Sequence, residues 1–137
     1  MQGILAGTRI AIIEDDALLR EALSIFLRVK GCRVETFGSA EDAGEAAKPG
    51  MFDIVISDYL LPGEDGLSCL RRIREVSKAV RTMLITAHAR EDVRSGARAA
   101  GIDNFLLKPF STDELEAALR RIVESGRSGS FGAAEAG

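Results

Sequence analysis

The 137-residue chain predicts an α/β fold, a parallel β-sheet with helices on both faces. Three observations carry the prediction. Short runs rich in β-branched residues, Arg9-Ile-Ala-Ile-Ile-Glu14, Ile54-Val-Ile56 and Met83-Leu-Ile-Thr86, read as strands buried on both sides. Segments between them place apolar residues at helical spacing. Turn formers (Gly31, Pro49-Gly50, Pro62-Gly63 and Gly101) mark the changes of period. Such alternation implies right-handed crossovers.

The elements follow in order. The run from Arg9 to Glu14 is the first strand, and Asp15 and Asp16 lead into a helix with Leu19, Ala22, Leu23, Phe26 and Leu27 inward. Asp16 suits the N-cap and the positive end of the helix dipole. Gly31 stops that helix. Arg33-Val-Glu-Thr-Phe37 alternates as a strand with one wetter face. Ser39 caps a second helix that runs to about Lys48. The third strand ends at Asp58, ahead of Pro62-Gly63. A helix follows over 65–76, with Leu67, Leu70 and Ile73 inward. The fourth strand is 83–86. The next helix, 89–100, is weak, because Ser95 and Gly96 sit inside it and Gly costs about 1 kcal/mol there relative to Ala. Residues 103–107 form the fifth strand. Ser111-Thr-Asp-Glu114 is a capping box for a last helix to about Glu124, with Leu115, Leu119 and Ile122 inward. The natural arrangement is a flavodoxin-like, doubly wound, five-stranded sheet in the order 2-1-3-4-5 with five helices. Residues 1–8 read as an N-terminal extension, 9–125 as the folded unit and 126–137, rich in Gly, Ser and Ala, as a flexible tail or linker stub.

Composition narrows the function classes. Hydrophobic residues make up 46% and charged residues 28%, as in an ordinary water-soluble domain. A net charge of −3 gives no general attraction to nucleic acid or an anionic membrane. No apolar run approaches the ~18 residues of a membrane span, and the first residues do not resemble a secretory signal. Cys32 and Cys69 fall in different elements and form no metal cluster. Reduced thiols in a cytoplasmic protein are the simplest account, with a structural disulfide the minor alternative.

The strand order gathers chemistry at one edge. The first and third strands are neighbours, about 4.8 Å apart, so their carboxyl ends bring Glu14, Asp15 and Asp58 together. Two like charges about 4 Å apart repel by roughly 4 kcal/mol at an effective dielectric near 20. Three carboxylates therefore call for a cation, and oxygen ligands on a half-open edge suit Mg2+. The fourth and fifth strands add the Thr86 hydroxyl and the Lys108 ammonium. Cation, ammonium and a carboxylate nucleophile are what phosphoryl transfer to an aspartate requires.

Taken in order, Ile-Ile-Glu14-Asp15-Asp16, Asp58 with Pro62 and Gly66 beyond it, Ile-Thr86-Ala, and Phe-Leu-Leu-Lys108-Pro109-Phe resemble the receiver domain of two-component response regulators. The likeness covers about residues 9–125. It implies that Asp58 is the phosphoacceptor from a sensor histidine kinase, a phosphotransfer protein or a small phosphodonor. It implies Asp15 as a direct Mg2+ ligand, Glu14 acting mainly through water, and the Leu60 backbone carbonyl as a further ligand. Thr86 and Lys108 would bind phosphoryl oxygens, helped by the amides of Tyr59 and Ala87. Lys108-Pro109 would be cis, and Phe105 would be the switch aromatic. Two departures stand out: the acidic pair is Glu-Asp rather than Asp-Asp, and Phe105 replaces an equally common Tyr. The implied function is a signalling switch whose fourth helix, fifth strand and fifth helix form the face that controls a downstream protein or a fused effector domain, or mediates a homodimer. Direct nucleic-acid and membrane contacts are not expected.

Other readings stand beside this one. A receiver-like interaction module without phosphotransfer is opposed by the full acid set and Lys108. An FMN carrier would need a Ser/Thr/Gly-rich loop where this chain has Glu-Asp-Asp. His88, the chain's single histidine, is either a solvated loop residue or, with Leu60, a flank of the phosphoryl group that sets its hydrolysis. Arg90, Arg94 and Arg98, four residues apart, form either a solvated helix face or a surface for a partner's acids.

Overall fold

The computed structural model describes residues 3–87 and 90–128. Within them, strands β1 (Arg9–Ile13), β2 (Arg33–Phe37), β3 (Ile54–Asp58), β4 (Arg81–Thr86) and β5 (Asn104–Leu107) alternate with helices α1 (Ala17–Val29), α2 (Ala40–Ala46), α3 (Gly66–Val76), α4 (Glu91–Ala99) and α5 (Thr112–Ser128). The sheet is parallel throughout and ordered β2-β1-β3-β4-β5, as the sequence predicts.

The period of two along each strand divides the core into two layers. Ile10, Ile12, Ile54, Ile56, Met83 and Ile85 point to one face, where Leu23 and Leu27 of α1 and Leu115, Leu119 and Ile122 of α5 cover them. Ala11, Ile13, Val55 and Leu84 point to the other, beneath Ala43 of α2, Leu70 and Ile73 of α3, and Val93 and Ala97 of α4. All five residues of β3 are buried, because both faces are covered. Cys32 and Cys69 lie in opposite layers, buried and free, which rules out a disulfide between them. Burial pushes both thiols up, Cys69 to about 11.

The caps hold each helix in register. Asp16 accepts from the amides of Leu18 and Leu19 at the start of α1. Ser39 caps α2 and Asp65 caps α3. At α5 the Ser111 amide donates to Glu114 Oε1 while the Glu114 amide donates to Ser111 Oγ, a reciprocal box. Gly31 ends α1 at a φ of 93°, a conformation side chains disfavour.

Three details depart from the sequence reading. Ala22 is exposed on α1 and Ser24 is buried. β4 begins at Arg81 rather than Met83, because the Thr82 amide and hydroxyl both donate to buried Asp103 Oδ2 (2.7 and 3.2 Å) and keep that polar end in the sheet. The leading segment is docked: Leu5 is buried in the α1–α5 layer and the Gly7 amide donates to the Gly31 carbonyl. Among the described residues no helix is long and apolar enough to cross a membrane.

Candidate functional site

The carboxyl edge of the sheet brings the predicted residues together from four strands. β1 ends at Ile13, and the Glu14 amide is fixed to the Phe37 carbonyl at 3.0 Å. Because Asp16 caps α1, Glu14 and Asp15 occupy the turn between strand and helix. β3 carries Asp58 to the same edge. One carboxylate oxygen each from Glu14, Asp15 and Asp58 lie within 4.8 Å of one another. Glu14 and Asp58 are buried, at 2% and 7% exposure, whereas Asp15 is open to solvent.

Lys108 reaches this cluster from the end of β5. Its ammonium lies 3.2 Å from Glu14 Oε1 and 3.3 Å from Asp58 Oδ2. Its amide donates to the Thr86 carbonyl at 2.8 Å, so the ends of β4 and β5 are locked side by side, and the Lys108-Pro109 bond is cis. Thr86 is buried at 1% exposure. Glu14 uses both oxygens: Oε1 on Lys108 and Oε2 on the Asp16 amide. Burial, followed by the repulsion of Asp58, holds the Glu14 carboxyl above the usual glutamate range despite the Asp16 amide and Lys108. Burial works against the charge on Lys108, but Asp58 and Glu14 outweigh it and raise its pKa. Lys108 thus pairs with two of the three carboxylates, Glu14 and Asp58, which leaves the edge electronegative. An all-oxygen donor set, one member exposed, fits a hard divalent cation such as Mg2+.

The chain brackets Glu14 and Asp58 through contacts that sequence reading missed. Arg20 of α1 donates to the Glu14 carbonyl at 2.6 Å. The buried Ser57 hydroxyl donates to the Asp58 carbonyl at 3.0 Å. The Gly66 amide donates to the Tyr59 carbonyl at 2.7 Å, and a Cβ on Gly66 would stand 1.9 Å from the Asp58 carbonyl oxygen. Only glycine lets α3 start this close to β3. Pro62-Gly63 marked a turn here, but nothing in the sequence announced how near it passes.

The structure corrects one expectation and leaves another untouched. The Tyr59 amide, expected to face a phosphoryl group, instead donates to the Ile85 carbonyl at 2.7 Å and continues the β3–β4 pairing. Leu60 is exposed in the following turn, and Ala87 lies exposed past Thr86. Phe105 is half-buried, its ring 5.0 Å from the Arg94 guanidinium. His88 lies outside the described residues.

Comparison with known proteins agrees with this geometry. Residues 10–120 match the response regulator receiver domain family. The chain is 40% identical over 109 residues to the transcriptional activator protein PfeR of Pseudomonas aeruginosa, covering 80% of this chain and 35% of that protein. It spans about a third to a half of the length of the curated relatives it matches. A CheY-like receiver domain protein from Methanospirillum hungatei superposes with a TM-score of 0.85 over 90% of this chain and 98% of its own, at 20% identity. The BeF3-activated receiver domain of DrrB from Thermotoga maritima does so with a TM-score of 0.78 at 29% identity, over 86% and 98%. The chain belongs to the receiver domain family of two-component response regulators.

Proposed function

We propose that this receiver domain is a phosphorylation-dependent switch that accepts a phosphoryl group on Asp58, from a histidine kinase or phosphotransfer protein, with Mg2+ held at the acidic edge. The observation that carries the reading is the convergence of Glu14, Asp15 and Asp58 within 4.8 Å of one another, with the Lys108 ammonium on Glu14 and Asp58. Asp15, the exposed acid, would ligate the metal directly, with Asp58 and the Leu60 carbonyl, and Glu14 would act through water. Bound there, the ion would offset the carboxylate charge and the charge on transferring phosphoryl oxygens.

The chain's own groups supply the rest. An Asp58 carboxylate oxygen forms a bond to phosphorus while the bond from phosphorus to the donor's nitrogen breaks, that nitrogen keeping the electron pair. Lys108 keeps its proton and serves as a fixed cation for the phosphoryl oxygens. The Thr86 hydroxyl and the Ala87 amide donate to the same oxygens. Drawing Thr86 toward Asp58 frees space for Phe105 to turn inward, and α4 shifts between two conformations a few kcal/mol apart. Activation of the DrrB receiver by BeF3 supports an activating group at such a site. The name of the transcriptional activator protein PfeR supports a transcriptional output, through a fused effector or a protein partner, and a switch of this kind would work in the cytoplasm. The unit doing this is residues 9–125, preceded by an N-terminal extension, 1–8, and followed by a tail or linker stub, 126–137.

The test is incubation with Mg2+ and acetyl phosphate, followed by intact-mass measurement. The switch predicts a gain of one phosphoryl, about 80 Da, absent without Mg2+ and absent in Asp58→Asn. No gain in the parent protein would move the reading to an interaction module working without phosphotransfer.

A further inference from the structure

Glu14 is held at its amide, its carbonyl and both carboxylate oxygens. The amide donates to the Phe37 carbonyl at 3.0 Å. The carboxylate takes the Lys108 ammonium and the Asp16 amide, both at 3.2 Å. The last bond comes from half-buried Arg20, whose Nη1 donates to the Glu14 carbonyl at 2.6 Å. The guanidinium reaches back from the first turn of α1 and lies against Gly38, where a Cβ would stand 3.3 Å from Nη1. Gly38 has no left-handed backbone, so what its missing side chain provides is room for Arg20. Among the described residues Arg20 pairs with no carboxylate, although Glu14, Asp15 and Asp16 all lie in the turn it reaches. Asp15 is the contrast: it is exposed, and among the described residues no hydrogen bond or ion pair fixes its side chain. Its direction is set by its backbone, and the carbonyl that Arg20 holds belongs to the rigid peptide unit joining Glu14 to Asp15.

From this arrangement we propose that Arg20 is a positioning residue for the metal site: it fixes the Glu14–Asp15 peptide, and through it the aim of the Asp15 carboxylate at a divalent cation. Groups that orient a metal ligand without touching the metal commonly set its affinity. A guanidinium on a carbonyl suits the task, because charged donors make hydrogen bonds roughly twice as strong as neutral ones. Its charge works the other way, since a cation near the site repels Mg2+. Position and charge therefore predict opposite signs when Arg20 is removed. The inference deepens the switch reading, on which it rests for the identity of the cation.

The test follows the amides of Glu14, Asp15 and Tyr59 by NMR while the isotope-labelled full chain is titrated with Mg2+, no phosphodonor being present. Arg20→Ala keeps a good helix former at the start of α1 and should raise the Mg2+ Kd about tenfold. Arg20→Lys, which can still donate one N–H to the carbonyl, should fall between that variant and the parent. Gly38→Ala leaves the guanidinium in place but crowds it at 3.3 Å. It should weaken Mg2+ in the same direction and by less, and it carries the test should Arg20→Ala fail to fold. With acetyl phosphate added, the Mg2+ needed for half-maximal phosphoryl uptake should rise by the same factor while the plateau rate stays near the parent's. A Kd unchanged or lowered in Arg20→Ala would overturn the proposal, the lowered value meaning that only the charge matters. So would a lower plateau at an unchanged half-maximal Mg2+, or a Gly38→Ala protein that binds Mg2+ more tightly. A parent whose amides ignore Mg2+ would sink the switch reading together with this proposal, whereas a parent that binds Mg2+ no better than Arg20→Ala would sink this proposal alone.

Discussion

α4 and α5 both reach β5, from opposite faces of the sheet, and they are held in opposite ways. α5 opens on a reciprocal capping box and buries Leu115, Ala118, Leu119 and Ile122. α4 opens on Arg90 with no side-chain cap, carries Gly96, lets the Ser95 hydroxyl bond back to the Glu91 carbonyl, and buries only Val93 and Ala97. Serine back-bonding and glycine both weaken a helix interior. The same strand therefore has a fixed support on one side and a lightly held one on the other. Local opening is cheapest where few apolar contacts must be broken, so α4 is the element that can shift while the site stays assembled.

The largest effect should come from breaking the stronger side. Leu119→Ala should cost about 3 kcal/mol of unfolding free energy, from transfer and cavity together, against about 1–2 kcal/mol for Val93→Ala, read from urea midpoints. Equal losses would erase the contrast. Next is Gly66→Ala, which drives a Cβ to within 1.9 Å of the Asp58 carbonyl. It should cost about 2–3 kcal/mol and also slow phosphoryl uptake from acetyl phosphate, since Asp58 must move. Unchanged uptake would remove Gly66 from the support of the site.

Gly96→Ala sharpens the comparison from the weak side. The added methyl meets Leu67 Cδ2 at 3.1 Å, the end of a half-buried side chain that can rotate. Removing a helix-interior glycine should then stabilise α4 by up to about 1 kcal/mol, seen as slower amide exchange over Glu91–Ala99. Faster exchange would mean Leu67 cannot yield.

The smallest effect lies at the opposite edge of the sheet. Arg9 donates to Asp53 and lowers its carboxyl pKa. That contribution is present above the ordinary aspartate value and lost as pH falls through the lowered one. Asp53→Asn should be slightly less stable than the parent at neutral pH, with the gap closing in acid. A gap independent of pH would show that the hydrogen bond to the Arg9 amide, not the charge, matters.

Most of the fold was legible because buried parallel strands write themselves as β-branched runs, and because Asp16, Ser39 and Ser111 sit where the helices begin. The acids at the sheet edge followed from strand order. What stayed hidden depends on distance rather than residue type. Arg81-Thr82 looks like a loop until Asp103 satisfies it across 21 positions. Leu5 reads only as part of an N-terminal extension until the α1–α5 layer covers it. The Tyr59 amide looks available until strand pairing consumes it. The bracketing of Asp58 by Ser57 and Gly66, and of Glu14 by Arg20, is a matter of tenths of an ångström.

The most direct measurement is amide exchange over Glu91–Ala99 and Thr112–Ser125, before and after acetyl phosphate with Mg2+, alongside Asp58→Asn. The account predicts that gain of one phosphoryl changes exchange in α4 and leaves α5 as it was, and that neither changes in the variant. A protein that takes the phosphoryl group yet shows the same α4 exchange, or changes both helices alike, would contradict it.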